Sequence, residues 1–332
     1  MRLMLFPVWL LCFAACDESI DITGRVQPIP VVYCFLSPDD SIQVLRLSKT
    51  FGGDADTTGL PPDPEDMVYN PVPEIFLAGD ILPEMQQFYP CKQNQNISKD
   101  SGWFPMTGAQ VFEAKCKIQP STRYTLLLYF KDESRIVFAE TVSPASDFKV
   151  IDPIPVPGRE VDLFSGRDYY IRFNPVANAH IYQTKVEFIF DEIRLGERTR
   201  RSVYVQLVPD FIENLAPLFV EQRFSAAEFY RAVTSSVYSD PEISRIPVGF
   251  TFHVACGGYE LATYVKSQTV INSFSEIDYT NLSNARGLFS FIIHRKIENL
   301  PLSRWTIDSL AFGERTKNLG FLPYKDIISY EK

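Results

Sequence analysis

The acidic segment from residue 54 to residue 65 has the ligand spacing of a calcium-binding loop. Oxygen-bearing side chains come first, a glycine follows at the sharp turn, and a carboxylate closes the segment: Asp54, Asp56, Thr58, Gly59 and Glu65. However, three prolines interrupt this segment and no helical pattern flanks it. We therefore predict an acidic, solvated loop without a metal ion, with calcium binding as the alternative.

Proton transfer or zinc binding by histidine would have to use His180, His253 or His294. His253 lies in an alternating run, on the face opposite Val248, Phe250, Phe252 and Val254, which predicts a side chain facing solvent or an interface. Cys256 follows three residues later, but no second ligand pair stands at zinc spacing. Nucleophile-elbow, metalloprotease and phosphate-loop motifs are also absent from the sequence. We predict no catalytic residue, no cofactor and no enzymatic activity.

Cys16 ends a short apolar N-terminus. Arg2 provides a positive charge, an apolar run extends to Ala15, and the acidic Asp17 and Glu18 follow the cysteine. This arrangement is typical of a secretory signal and is too short for a spanning helix, which needs ~20 apolar residues. Because residues 13–16 resemble the bacterial lipobox, we predict that Cys16 becomes the first mature residue and carries acyl chains. The alternatives are an ordinary cleaved signal and a buried N-terminal helix.

Four further cysteines would remain in the mature chain: Cys34, Cys91, Cys116 and Cys256. Four cysteines allow three pairings, and the sequence does not choose among them. Their scattered positions favour small buried side chains over a disulfide framework, and Cys91 with Cys116 is the first pair to test.

Size and composition predict a mainly β protein. The 332 residues are enough for two domains, and 14% aromatic content with 24 prolines favours strands and rigid turns. The net charge of −9 without a basic cluster excludes nucleic acid as a predicted partner and disfavours flat binding to anionic lipid.

We predict two β-sandwich domains of the fibronectin type III or immunoglobulin-like class, the second with two or three short inserted helices. The predicted order is a lipoprotein signal peptide (1–15), a tether (16–27), an N-terminal β-sandwich (28–150) and a C-terminal β-rich domain (151–332). A proline-rich stretch at 151–158 forms the joint between the two domains.

Local patterns supply the predicted strands of the first domain. Alternating or continuous apolar runs predict strands at 31–36, 42–50, 110–118, 125–130 and 135–142. Residues 52–73 are rich in Gly, Pro and Asp and lack an apolar period, which predicts a long loop. The segment from Pro120 to Tyr124 resembles a tyrosine corner, in which the tyrosine hydroxyl bonds back to the backbone near the turn.

In the second domain, residues 170–182 resemble the second and third strands of a fibronectin type III domain, and further strands are predicted at 201–208 and 248–254. Ser225 and Glu228 form a capping box that opens a helix to about Ser235. Apolar residues near helical spacing predict further helices at 259–271 and 304–312.

The chain resembles a family of Bacteroidota outer-membrane lipoproteins defined by a domain of unknown function. The resemblance rests on Cys16, the hairpin at 31–51, the corner at 120–124, the tyrosine-rich segment 259–267 and the turn at 279–289. In that turn Ala285 replaces a glycine of the family pattern, so a positive φ is expected at Asn284.

Members of this family are often encoded beside TonB-dependent transporters. The resemblance therefore implies a non-catalytic surface subunit of nutrient uptake, anchored in outer-membrane lipid and facing the cell surface, with such a transporter as its partner. The sequence leaves two alternatives open, a surface hydrolase of peptides or glycans and a structural or adhesive module.

Overall fold

The computed structural model describes residues 28–50, 67–82, 85–94, 110–145, 148–154, 158–163, 168–213, 218–269 and 279–330. Within these residues the chain is mainly β, with few helices, and belongs to the β-sandwich class that the sequence predicts. Cys16, the predicted tether and the acidic segment 54–65 lie outside the described residues.

Strands run through the described residues from Pro30 onward, and the helices described among them all follow residue 225. The strands are β1 (Pro30–Leu36), β2 (Ile42–Lys49), β3 (Glu74–Leu82), β4 (Met85–Pro90), β5 (Lys92–Gln93), β6 (Gln110–Lys115), β7 (Arg123–Phe130), β8 (Arg135–Val142), β9 (Val150–Asp152), β10 (Asp168–Phe173), β11 (Ile181–Arg194), β12 (Glu197–Glu213), β13 (Val220–Ser225), β14 (Ile243–Gly257) and β15 (Arg286–Leu300). The helices are α1 (Ala226–Ser236), α2 (Tyr259–Thr269), α3 (Arg304–Phe312) and α4 (Tyr324–Tyr330).

These strands form three sheets. The largest has eight strands in the order β12-β11-β14-β15-β1-β2-β6-β5, and the others have the orders β4-β3-β7-β8 and β13-β10-β9. Strand β15 connects the two halves of the largest sheet, since its residues up to Phe291 pair in parallel with β1 and its later residues pair with β14. The predicted boundary at residue 150 therefore does not separate two sheets, because the largest sheet takes strands from both sides.

Alternation of side chains produces the buried face of the first strands. Val32, Cys34 and Leu36 of β1 are buried, and on β7 the buried set is Tyr124, Leu126, Leu128 and Phe130. This is the face predicted for β7 from its period-two pattern. On β6 the predicted inward residues Phe112 and Ala114 are buried, but so is Val111, which the pattern placed outside.

Helix α1 begins where its capping box predicts. The Ser225 hydroxyl accepts a hydrogen bond from the Glu228 N–H at 3.2 Å, and the Glu228 carboxylate accepts one from the Ser225 N–H at 3.1 Å. The helix places Phe229 against Phe188 and Phe250 of the sheet, with ring centroids 5.0 and 5.2 Å away. Helix α3 has the predicted bounds, α2 is described to Thr269, and α4 was not predicted.

The segment before β15 covers the edge of strand β8. The Ser283 N–H donates to the Phe138 carbonyl at 2.8 Å, and the Asn284 side chain donates to the Ile136 carbonyl at 3.0 Å. Asn284 has φ of 55°, as expected from the alanine that follows it. An exposed strand edge invites pairing with other chains, so this turn protects the four-stranded sheet.

Candidate functional site

A cavity of about 370 Å³ lies between helix α2 and the strands of the large sheet. Its floor and sides come from β11, β12, β14 and β15, and its roof comes from α2. The lining residues are Ile181, Gln183, Asp210, Phe211, Ala255, Cys256, Gly257, Leu261, Tyr264, Val265, Gln268 and Ile292. The walls are thus mainly apolar, with an acid and two amides among them.

Helix α2 contributes four residues at spacing i, i+3, i+4 and i+7: Leu261, Tyr264, Val265 and Gln268. This spacing places them on one face of a helix, which explains why a single helix can roof the cavity. Gly257 lets the helix come close, because a Cβ atom there would lie 2.4 Å from the Leu261 side chain. The sequence pattern predicted the helix and its apolar face but not the cavity beneath it.

Polar contacts fix both ends of α2. The Glu260 carboxylate accepts hydrogen bonds from the Thr141 hydroxyl at 2.9 Å and the Ser290 hydroxyl at 3.0 Å. Near the other end, the Lys266 ammonium lies 2.8 Å from the Glu213 carboxylate at the end of β12. The helix is therefore held across the cavity by β8 and β15 on one side and by β12 on the other.

Two polar members of the lining, Gln183 and Asp210, lie together on one side. The Gln183 amide donates to the Asp210 carboxylate at 3.2 Å, at the position where the β11–β12 pairing shifts register. Asp210 is exposed, so its charge is solvated. These groups can orient a polar end of a ligand, while the apolar walls bind its body.

Cys256 does not make this cavity a nucleophilic site. The side chain is buried, and burial raises the pKa of its thiol to about 12. A thiol with this pKa is protonated near neutral pH, whereas the thiolate is the reactive form. Cys256 therefore contributes a small apolar surface to the wall.

None of the four described cysteines forms a disulfide, including the Cys91 and Cys116 pair singled out for testing. Cys34, Cys116 and Cys256 are buried and Cys91 is half-buried, which confirms that these side chains serve as small core residues. Burial also raises the pKa of Cys91 to about 12.

The histidines lie apart from the cavity wall. His253 Nε2 is 3.0 Å from the Glu187 carboxylate on the neighbouring strand, and the Tyr204 ring centroid lies 6.3 Å from that of the histidine. Burial favours the neutral acid at Glu187, but hydrogen bonds from His253 and Ser202 outweigh it and lower the pKa of this carboxyl. His253 is partly exposed, as its position in the strand predicted, and sequence reasoning did not find its carboxylate partner.

His180 packs edge-on against Tyr259 at 5.4 Å between ring centroids, and burial lowers the pKa of His294. The part of the chain that the structure describes holds no group of three metal-binding side chains. None of its helices is long and apolar enough to cross a bilayer.

Asp210 and Phe211 are cavity residues that the sequence did not reveal. They follow the predicted strand 201–208, and only the pairing of β12 with β11 brings them opposite α2. Comparison with protein-family models gives no match, and comparison with curated proteins gives none either.

Proposed function

We propose that this protein is a lipid-anchored outer-membrane surface protein that binds a small, mainly apolar ligand. In this proposal it is a non-catalytic accessory subunit of a TonB-dependent nutrient-uptake system. The observation that carries the binding function is the cavity beneath α2, and the N-terminal segment ending at Cys16 supports the location. The resemblance to the lipoprotein family supports the link with a transporter.

The cavity has the properties of a small-molecule site. Its volume of about 370 Å³ falls at the lower end of the range for such sites, roughly 300–1,000 Å³. Apolar walls favour a ligand with an apolar body, and Gln183, Asp210 and Gln268 favour one hydrogen-bond donor or a positive charge at its end. The thiol of the lining, Cys256, is buried and protonated, which favours binding over nucleophilic turnover at this cysteine.

Binding can be tested with N-phenyl-1-naphthylamine, an apolar dye that fluoresces when it leaves water. We expect the dye to bind the unsubstituted chain and Val265→Phe to weaken binding roughly tenfold, because the larger side chain occupies the cavity. Thr263→Phe is the matched control, since Thr263 is on the same helix but does not line the cavity.

Circular dichroism during heating would show that both variants remain folded. Equal dye binding by the two variants and the unsubstituted chain would place the ligand elsewhere and remove the support for this site. Dye binding that Val265→Phe alone reduces would justify a screen of natural ligands against the same pair of variants.

The transporter partner can be tested by affinity capture from detergent-solubilised outer membranes. We expect a co-purifying barrel protein with the acylated chain and a much smaller yield with Cys16→Ser, because the anchor places both proteins in one membrane. Recovery of the acylated chain without any barrel protein would contradict the accessory role while leaving the cavity test in place.

A further inference from the structure

The outer face of the four-stranded sheet carries a group of exposed apolar side chains, with charged residues such as Glu74 and Glu140 at its margins. Strand β8 alternates strictly, so that Val137 and Ala139 are buried while Ile136 and Phe138 point away from the core. The outward apolar residues of this sheet, named here the apolar belt, are Phe76, Phe88, Leu127, Tyr129, Ile136 and Phe138. Ile136 and Phe88 are each 53% exposed, and Phe138 and Tyr129 are 42% and 41% exposed.

Strand register makes the belt continuous across the sheet. Phe76 pairs with Leu127, and Leu127 pairs with Phe138 on the next strand. Tyr129 pairs with Ile136, two residues further along strands β7 and β8 on the same face. Phe88 lies on the edge strand β4, opposite Ala78. Directly opposed side chains lie about 4.5–5.5 Å apart and diagonal neighbours, such as Phe76 and Phe88, about 7–8 Å, so these residues form one surface.

A water-facing side of an antiparallel sheet normally carries polar residues. Contiguous exposed apolar residues on a soluble domain usually mark a contact surface for a protein or a membrane. The belt therefore has the character of a contact surface.

The first described residue of the chain, Pro28, lies near this belt. The Arg135 guanidinium donates to the Pro28 carbonyl at 3.0 Å, and the next residue, Ile29, lines the same surface pocket as the belt residue Ile136. Even when fully extended, the residues between Cys16 and Pro28 span only about 40 Å. Acyl chains on Cys16 would thus keep the belt within reach of the bilayer surface.

We propose that the apolar belt lies against the bilayer that holds the anchor, with its exposed side chains at the boundary between headgroups and acyl chains. This inference rests on the lipid anchor of the proposed function. The net charge of −9 disfavours an anionic surface, and the nearby Glu74 carboxylate is already paired with Lys131 at 2.6 Å. The lipid that fits the belt is therefore zwitterionic.

The test uses the acylated chain on phosphatidylcholine vesicles with a tryptophan introduced as a depth probe. Phe138→Trp replaces a belt residue, and Tyr204→Trp replaces an exposed tyrosine, 61% exposed, on β12 at the far side of the large sheet. Lipids brominated on their acyl chains quench tryptophan by contact. We expect at least about twofold more quenching of the added fluorescence at position 138 than at position 204, with the unsubstituted chain as background.

Equal quenching at the two positions, with the chain still on the vesicles, would overturn the proposal. A blue shift of the Phe138→Trp emission that depends on protein concentration, in the absence of lipid, would show instead that a second copy covers the belt. A blue shift independent of concentration and of lipid would show that a segment of the same chain covers it. Either result would also overturn the proposal.

Failure of the anchor itself is distinguished by mass spectrometry of Cys16 and by the mature chain, residues 16–332, carrying Cys16→Ser and lacking the apolar residues 1–15. At millimolar phosphatidylcholine this chain should still partition onto vesicles through the belt. Adding Ile136→Glu and Phe138→Glu should reduce that partition about tenfold or more. The two apolar side chains that would transfer from water into the lipid are then missing. Equal partition would overturn the belt proposal whether or not Cys16 is acylated.

Discussion

Two buried tyrosines use their hydroxyl groups to hold turns against the ends of strands. The Gln119 N–H donates to the Tyr124 hydroxyl at 2.8 Å, and the Val176 N–H donates to the Tyr182 hydroxyl at 2.9 Å. The tyrosine follows the residue that donates the N–H by five positions in the first case and by six in the second. The first bond confirms the tyrosine corner expected from the sequence, and the second is an equivalent arrangement in the C-terminal half of the chain.

Replacing Tyr124 by phenylalanine tests the importance of this bond. We expect Tyr124→Phe to lower the free energy of unfolding by about 1–2 kcal/mol, because the Gln119 N–H loses its partner in a partly buried turn. Urea denaturation measures this change. Tyr204→Phe is the control, and since its hydroxyl is at an exposed position it should change stability by less than about 0.5 kcal/mol. Indistinguishable variants would mean that water replaces the hydroxyl in the turn.

At the level of elements, the turn before β15 joins two sheets. The Asn281 side chain exchanges hydrogen bonds with the backbone N–H and carbonyl of Phe289 at 3.0 and 2.7 Å, and it also reaches the Glu140 carbonyl. Gly287 then brings β15 against β1, with φ of 105°. A Cβ atom at this glycine would lie 1.9 Å from the Val32 carbonyl oxygen.

Two glycines with positive φ therefore provide a matched test of this contact. We expect Gly287→Ala to cost more than about 4 kcal/mol or to prevent folding, because the added carbon displaces the backbone of β1. Gly196→Ala should cost only about 1 kcal/mol, since Gly196 has φ of 85° but no atom within 4 Å of the added carbon. Thermal unfolding followed by circular dichroism compares them. Similar losses would show that backbone strain, and not the contact with β1, dominates at both positions.

The sequence was most informative where one signal acts locally. The Ser225 and Glu228 capping box, the tyrosine corner at Tyr124 and the positive φ at Asn284 each depend on residues a few positions apart. It was least informative about pairing between distant strands. Nothing near Val32 indicates that its parallel partner is Gly287, and nothing near Asp210 indicates that α2 lies opposite. Such contacts depend on the packing of the whole chain.

At the level of the whole molecule, β15 makes the two halves of the large sheet depend on each other. Its first residues, Arg286 to Phe291, complete the sheet around β1, and its later residues complete the sheet around β14. Buried residues of both halves also belong to one hydrophobic core. Loss of β15 would therefore remove the strand through which the two halves of the large sheet are joined.

We expect unfolding in urea to occur in a single transition for this reason. Tryptophan fluorescence, to which Trp305 at the start of α3 and Trp103 both contribute, and circular dichroism of the strands should give the same midpoint. Two separated transitions would show that the regions before and after residue 150 unfold independently, as the predicted domain boundary implies. The Gly287→Ala chain, if it folds, should show the same coincidence at a lower midpoint.

The parallel pairing of β1 with β15 also constrains the order of events during synthesis. Strand β1 is among the first segments of the body to be made, but its partner begins only at Arg286, near the other end of the chain. Until that partner arrives, β1 has a free edge that another strand can occupy. The large sheet cannot close before β15 has been synthesised, so its completion must come late in translation or after it.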